Sequence, residues 1–476
     1  MELDGAGLTC AQVHDAAYGG ARVTIASLDR ARAAWATAQE LTGPVYGRST
    51  GVGANRGVIL DKPGLDLLRS HVCGAGPLIP PARARAMLVV RLNQLLAGGS
   101  GIDPAVLPVL AEAINGGFTP PIQTYGAIGT GDLAALATTA LCLLGELPWH
   151  HEPPPLSRGT TPSEAPPPPL SPDTTPFEAP PPPGGPPTDV ATPHFPFAPE
   201  DALPFISSGA ATLADAAIAC HRLRLLLEAA IDVAAMSFTA VGASAEPLAA
   251  AVQEARPHPG QAAVAARLRG LLTQELATRV QDPYGYRAFA QVHGAAVDTL
   301  DRATAAVEID LNAAAENPLI SGSLAWHNGN FHSAPLALAL DALRAALVQT
   351  AQLSAARLAT LMDPAYTGHH PFLADRPGSS GALILEYVAQ DALAELRLLA
   401  TPVTTGTAVI SLGTEDHAGF ATQAARNALR CLEPLEIVLA CERTAALRAL
   451  HTPTPDRPLT PDLTTSRHAL TPHPPP

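Results

Sequence analysis

Apolar positions recur at helical spacing along most of the chain, and runs that alternate with a period of two are few. Two helical segments are expected within residues 1 to 42, the second from about Ser27 to Leu41 with Ser27 placed as its cap. Leu65 to Val72 and Ala82 to Leu96 repeat the pattern, and an alanine- and leucine-rich run covers Gly131 to Leu147. Beyond residue 200 the helical stretches lengthen: to about Met236, from Arg287 to Ala315, from Ala334 to Met362, from Leu383 to Ala400 and from 416 to about 449. Asp298 and Arg302 stand four apart on the polar face of one of them. Only a short hairpin-like stretch, before Gly329, interrupts this series. Helices of this length with so little strand imply an all-α fold built on a long central bundle.

The pattern fails once, abruptly. Residues 152 to 199 hold 19 of the 49 prolines and contain a near-duplicate, Thr160 to Pro169 and Thr174 to Pro183. Proline removes a donor and fixes φ, so this stretch is expected to be a Pro-rich, disordered, polyproline-like insertion. The organisation predicted is an N-terminal domain over 1–150, a flexible linker over 151–199, the helical bundle over 200–450 and a Pro-rich tail over 451–476.

Composition narrows the function. At 47% apolar and 15% charged residues, the 476-residue chain is mostly globular, and its alanine and leucine content favours helix. A net charge of -14 without a basic run argues against nucleic acid and against anionic membranes. Lys62 is the sole lysine and sits beside Pro63, which disfavours a pyridoxal phosphate enzyme, since that chemistry needs a Schiff-base lysine. The six cysteines are scattered, as expected for a reducing compartment without structural zinc. The acidic start shows no signal peptide and no apolar run spans a bilayer; cytoplasmic is the expectation.

Several glycine-punctuated segments carry candidate chemistry. The first runs Tyr125-Gly126-Ala127-Ile128-Gly129-Thr130-Gly131-Asp132 directly into an apolar helix, with Asp132 expected to cap it. Taken alone it reads as a tight loop before a core helix. Others are Tyr46-Gly47-Arg48-Ser49-Thr50-Gly51-Val52-Gly53, Ser70-His71, and Gln281-Asp282-Pro283-Tyr284-Gly285-Tyr286-Arg287 leading to Gln291-Val292-His293-Gly294. Asn312 to Leu319, Gly329-Asn330-Phe331-His332, Ser379-Ser380-Gly381, Thr414-Glu415-Asp416-His417 and Asp456 to Asp462 complete the set. Arg287 offers a planar fork suited to a carboxylate, although an isolated arginine is usually a surface ion pair. Glu415 and Asp416 also suit the first turn of a helix beginning at 416.

Together these segments resemble the aromatic amino acid ammonia-lyases, meaning histidine and phenylalanine ammonia-lyase and their aminomutase relatives, over nearly all the chain outside 152–199. The resemblance implies the ammonia-lyase/fumarase-like helical bundle and a homotetramer. It implies that Gly129-Thr130-Gly131 stands where Ala-Ser-Gly cyclises to a methylidene-imidazolone electrophile. With threonine the product is an ethylidene, bulkier and less electrophilic. Tyr46 takes the position of the base that removes the β-proton, and Arg287 that of the carboxylate clamp. Gln281, Tyr284, Phe331 and His71 stand at substrate-pocket positions, and Glu415 at one that approaches the side chain or amine. Ser208 stands where the family has an asparagine that bonds the cofactor and substrate. No metal is implied.

Elimination of ammonia needs a base at Cβ, a grip on the carboxylate and an activated leaving nitrogen. An unperturbed phenol, near pKa 10, is too weakly basic at neutral pH by roughly three units unless its surroundings lower that value. Three readings follow: an ammonia-lyase or aminomutase on an aromatic or imidazole L-amino acid, with His71 and Glu415 favouring histidine; a same-fold enzyme working without the electrophile; or a non-catalytic amino-acid-binding homologue.

Overall fold

A computed structural model describes residues 1–61, 64–152, 191–273 and 279–470. Lys62 and most of the expected insertion, 153–190, lie outside the described residues, as does the end of the expected tail. The chain forms two compact units. One contains residues 1–127, 131–214 and 311–331; the other contains 128–130, 215–310 and the chain from 332 onward.

The first unit is organised around helix Pro81–Leu96, in which every residue from Ala84 to Leu96 is buried. A helix covered on all sides must satisfy its polar side chains internally. Arg85 donates to the carbonyls of Ala16, Ile114 and Ala21. Arg91 donates to the carbonyls of Pro204 and Phe205 and pairs with buried Glu316 at 3.2 Å. Asn93 bonds Gly5 N and Leu311 O, and reaches Asn312 at 3.0 Å. Cys10–Tyr18, Asp29–Glu40 and Val106–Gly116 pack on this helix, while Asp66–His71, Leu133–Leu143 and Ala202–Ile206 pack on one another. Thr9 and Gln12 form a capping box on the first of these. Strands are short. Ala75–Leu78 pairs antiparallel with Gln123–Tyr125, which sets the chain just after His71 beside the Gly126 turn. Leu319–Ser321 and Leu324–Trp326 form the expected hairpin.

The second unit is a bundle of Phe289–Leu311, Ala334–Leu361, Ile384–Leu399 and Leu432–Leu450 with most of the long helix Ala210–Val241. Its core includes Phe238, Leu268, Tyr286, Phe289, Leu358 and Leu385; each large apolar side chain so buried contributes roughly 1.5–3 kcal/mol. Within this core Glu442, fully buried, accepts from Ser237 Oγ, Ser354 Oγ and Arg357, all at 2.6–2.8 Å. Ala334–Leu361 has the length and apolarity of a membrane-crossing helix. It buries Asp341, Arg344 and Arg357 among its leucines, which is the pattern of a bundle core.

Several boundaries differ from expectation for identifiable reasons. The helix expected over 131–147 is Leu133–Leu143, because Gly131 (φ +128°) and Gly145 (φ +74°) have left-handed backbones that cannot continue it. The helix expected from 416 starts at Ala421 and is divided at Cys431. Residues 410–415 are closed by an antiparallel bridge between Ile410 and Glu415, and Phe420 itself has a left-handed φ of 53°. Glu415 and Asp416 therefore lie outside any helical first turn. Ser27 accepts from Asp29 N at 3.0 Å but stands one residue before the cap position, which Leu28 occupies. In the stretch read as a tail, Thr460–Leu470 is helical.

Candidate active site

The Gly129-Thr130-Gly131 turn is fixed from both ends by backbone bonds. Ile128 O accepts from Phe420 N at 3.1 Å, and Asp132 N donates to Ser208 O at 2.7 Å. Gly129 is buried with φ +90°, and a Cβ there would fall 2.3 Å from Ala421 N, a backbone atom that cannot move aside. Glycine at this first position is thus required by the turn as built. Among the described residues, none hydrogen-bonds to the peptide groups of residues 129–131. The Gly131 nitrogen is accordingly uncommitted, as cyclisation onto the Gly129 carbonyl requires. Thr130, half-buried, retains a β-hydroxyl that can leave as water. The residues present fit an imidazolone-type group.

Asp132 behaves differently from expectation. It occupies the cap position of Leu133–Leu143 but makes no cap bond to that helix. Its buried carboxylate accepts from Thr212 N at 2.7 Å and Thr212 Oγ1 at 2.9 Å, so it caps the first turn of Ala210–Val241. Charge at a helix N-terminus is favourable there. Ser208, also buried, donates through Oγ to Gln94 Oε1 at 2.6 Å and offers its carbonyl to Asp132 N. Its side chain is spent on holding the helix junction.

In the same unit Tyr46 sits half-buried in a loop knitted by three amides, 48 to 50, that share Val45 O. Its phenolic oxygen accepts from Gly53 N at 2.8 Å, at the start of the short helical turn Gly53–Asn55. A donor aimed at Oη stabilises the phenolate over the phenol, the change a tyrosine base needs. His327 Nε2 accepts from Tyr46 N at 3.2 Å. His71 ends helix Asp66–His71, and its Nδ1 lies 2.8 Å from Leu67 O. A carbonyl can only accept, which assigns the proton to Nδ1 and leaves Nε2 as the acceptor of the neutral ring. Phe331 is half-buried just beyond a turn fastened by Asn328, which bonds Glu316 O and Asn317 Oδ1.

The second unit carries Gln281, Tyr284, Arg287 and Glu415. Asp282 anchors the first three: its carboxylate accepts from Ser244 N at 2.7 Å and Arg279 Nε at 2.8 Å. Arg357 donates to Gly285 O at 3.0 Å, and a Cβ at 285 would approach Arg357 Cγ to 3.1 Å, a tight contact. Gln281 and Tyr284 remain exposed above this anchor. The Arg287 guanidinium stacks 4.7 Å from the Tyr284 ring centroid and pairs with no carboxylate among the described residues, so its fork is available to a ligand. Glu415 is exposed and held through its backbone by Ile410.

One pair escaped sequence reasoning. His332 Nε2 and His417 Nδ1 are 2.9 Å apart, within hydrogen-bond distance of one another. The signal was available, since both histidines end motifs already singled out. Among the described residues no group of three or more His, Cys, Asp or Glu side chains is arranged to hold a metal ion.

The mostly helical chain thus carries this turn, a phenol on a backbone N–H and, among the described residues, an arginine without a carboxylate partner. The aromatic amino acid lyase family matches residues 8–166 and 188–471. Histidine ammonia-lyase of Geobacillus thermodenitrificans is 34% identical over 421 residues, covering 85% of this chain and 79% of that protein. That of Anaeromyxobacter dehalogenans is 34% identical over 480 residues, covering 96% and 91%. Among solved structures, tyrosine aminomutase from Streptomyces globisporus superposes with a TM-score of 0.83 at 27% identity, covering 99% of this chain and 96% of that one. Histidine ammonia-lyase from Trypanosoma cruzi gives 0.81 at 26%, covering 98% and 92%. The chain belongs to the aromatic amino acid lyase family.

Proposed function

We propose that this protein eliminates ammonia from L-histidine or a close imidazole analogue, using an electrophile made autocatalytically from Gly129-Thr130-Gly131. The observation that carries the reading is the tripeptide turn: an uncommitted Gly131 amide, a first position that admits only glycine, and a retained β-hydroxyl at Thr130. The group itself supplies an electron-poor carbon that turns the substrate's amino nitrogen into a better leaving group. Tyr46 removes the Cβ proton, its phenolate favoured by Gly53 N. Arg287 holds the carboxylate bidentately, which fixes Cα and Cβ for departure of the proton and the amine. His71, with Nε2 as acceptor, suits an imidazole N–H of the substrate, and this with the named relatives favours histidine over tyrosine or phenylalanine. Ser208 positions the turn through Asp132 N. Gln281, Tyr284 and Phe331 enclose the substrate, and Glu415 serves its side chain or amine. A homotetramer is part of the same proposal, checked by light scattering.

Intact mass followed by peptide mapping tests the electrophile: the expected result is loss of two waters confined to 129–131, absent in Thr130→Ala. Ultraviolet product absorbance is then followed with histidine, tyrosine and phenylalanine in parallel. An unmodified tripeptide in the active protein would overturn the electrophile, and faster turnover of tyrosine or phenylalanine would overturn the imidazole preference.

A further inference from the structure

The second unit contains a cavity of about 240 Å³ remote in sequence from every residue assigned above. It is walled by the end of helix Leu432–Leu450, the segment 451–459 and helix Thr460–Leu470, and its ionisable lining is Arg443, Arg448, His451, Arg457 and Asp462. Three guanidiniums face one carboxylate in a chain whose net charge is -14. Arg457 is matched, since its Nη2 lies 2.9 Å from Asp462. Arg443 and Arg448 are not: among the described residues neither forms an ion pair.

Both unmatched arginines are nevertheless held in place, and by neutral oxygens. Arg448 donates to Leu373 O at 2.8 Å, Thr454 O at 2.6 Å and Thr454 Oγ1 at 3.3 Å. Arg443 reaches Ser466 Oγ at 3.3 Å, and Ser466 is bonded in turn to Thr444 Oγ1 at 2.8 Å, both hydroxyls being buried. Carbonyls and hydroxyls orient a guanidinium without cancelling its charge. Two half-buried positive charges are thereby fixed around one cavity with hydroxyls between them, and a small anion there would gain from both.

We propose that this cavity binds a small phosphate-class dianion, either inorganic phosphate or the phosphoryl group of a small ester. Charge selects the class: two uncompensated guanidiniums match the roughly -1.5 to -2 of a phosphate at neutral pH better than they match a monocarboxylate such as the substrate. Guanidinium forks and hydroxyls suit its tetrahedral oxygens. Size selects a small ligand, the cavity being below the roughly 300–1,000 Å³ typical of drug-sized pockets. Arg448 and Asp456, which bonds Ser380 N and Gly381 N at 3.0 Å, tie the cavity wall to the segment preceding Ile384–Leu399, so a bound anion braces this end of the bundle.

Thermal unfolding and calorimetric titration of the full chain test this, with inorganic phosphate and glycerol phosphate each added at constant ionic strength against chloride. A saturable rise in the unfolding midpoint with either ligand is expected. Saturation by phosphate alone assigns the free ion, and saturation by both assigns a phosphoryl ligand. Arg443→Gln should raise the dissociation constant about tenfold or more, because it removes a charge-assisted contact. Asp462→Asn, which deletes the sole lining carboxylate, should lower it, a direction that loss of structure does not produce. Binding no stronger than that of chloride, or an unchanged constant in Arg443→Gln together with Asp462→Asn, would overturn the proposal. The readout is binding, so it stands or falls independently of the lyase chemistry.

Discussion

A phenol is a poor base until something prefers its anion, and the role proposed for Tyr46 draws on the backbone N–H of Gly53. The 2.8 Å bond from Gly53 costs the neutral phenol little and rewards the phenolate. Tyr46→Phe keeps the ring and removes the proton acceptor, so turnover should fall by about 10²–10⁴-fold while circular dichroism and the mass change at 129–131 persist. Activity within a few-fold of the unaltered protein would remove Tyr46 from the mechanism. The tyrosine was legible from its glycine-spaced motif. Its donor was not, because residues 46 and 53 are joined by a loop closure that no periodicity encodes. Ser208 teaches the reverse lesson. The resemblance places it at a cofactor- and substrate-bonding position, yet its hydroxyl is engaged by Gln94, a helix residue far away in sequence.

At the scale of elements, one carboxylate links two helices. Asp132 ends the tripeptide turn and caps Ala210–Val241 through Thr212, although local sequence assigns it to the helix it directly precedes. Capping preference depends only on an oxygen reaching an unpaired amide, so either helix satisfies it, and folding chose the more distant one. Asp132→Asn should destabilise the fold by about 1–2 kcal/mol, because a buried charge-assisted acceptor is weakened, as read from urea unfolding. Asp132→Ala should cost more. No change in either variant would show that the cap contributes nothing. The 410–420 stretch gives the same message: Glu415 and Asp416 look like first-turn residues, but left-handed Ser411, Leu412 and Phe420 keep the chain turning until Ala421.

Across the whole molecule, long apolar helices force some polar side chains into the interior. His293 is fully buried, its Nδ1 2.8 Å from Thr350 Oγ1 and its Nε2 2.9 Å from Leu227 O, with its ring stacked on Phe289. Burial lowers its pKa to about 4. The folded chain therefore prefers the neutral ring, and the stability this gives above pH 6.5 is lost as pH falls from about 6.5 toward 4, by roughly 3 kcal/mol if fully expressed. Asp201 acts in the opposite sense. Burial raises its pKa to about 6, so its ionisation in the fold is disfavoured and its contribution grows as pH falls through about 6 toward 3.8. Urea unfolding at pH 7 and pH 4.5 should show the difference: His293→Gln lowers stability at pH 7 but loses less on acidification than the unaltered chain. Equal losses in both would exclude His293 as a source of acid sensitivity.

The sequence by itself determined the helical class, the motifs and the family, because apolar spacing and contiguous residue identity are local properties. It also exposed Thr130 and Ser208, which stand where the resemblance leads one to expect serine and asparagine. Tertiary structure decided what those residues touch: that Gly129 must lack a side chain because Ala421 lies against it, that Asp132 serves another helix, and that Arg443 and Arg448 line a cavity without a counter-charge. The reason is physical. A periodic pattern specifies which face of a helix is buried, whereas a hydrogen bond or an unbalanced charge depends on which distant element that face meets.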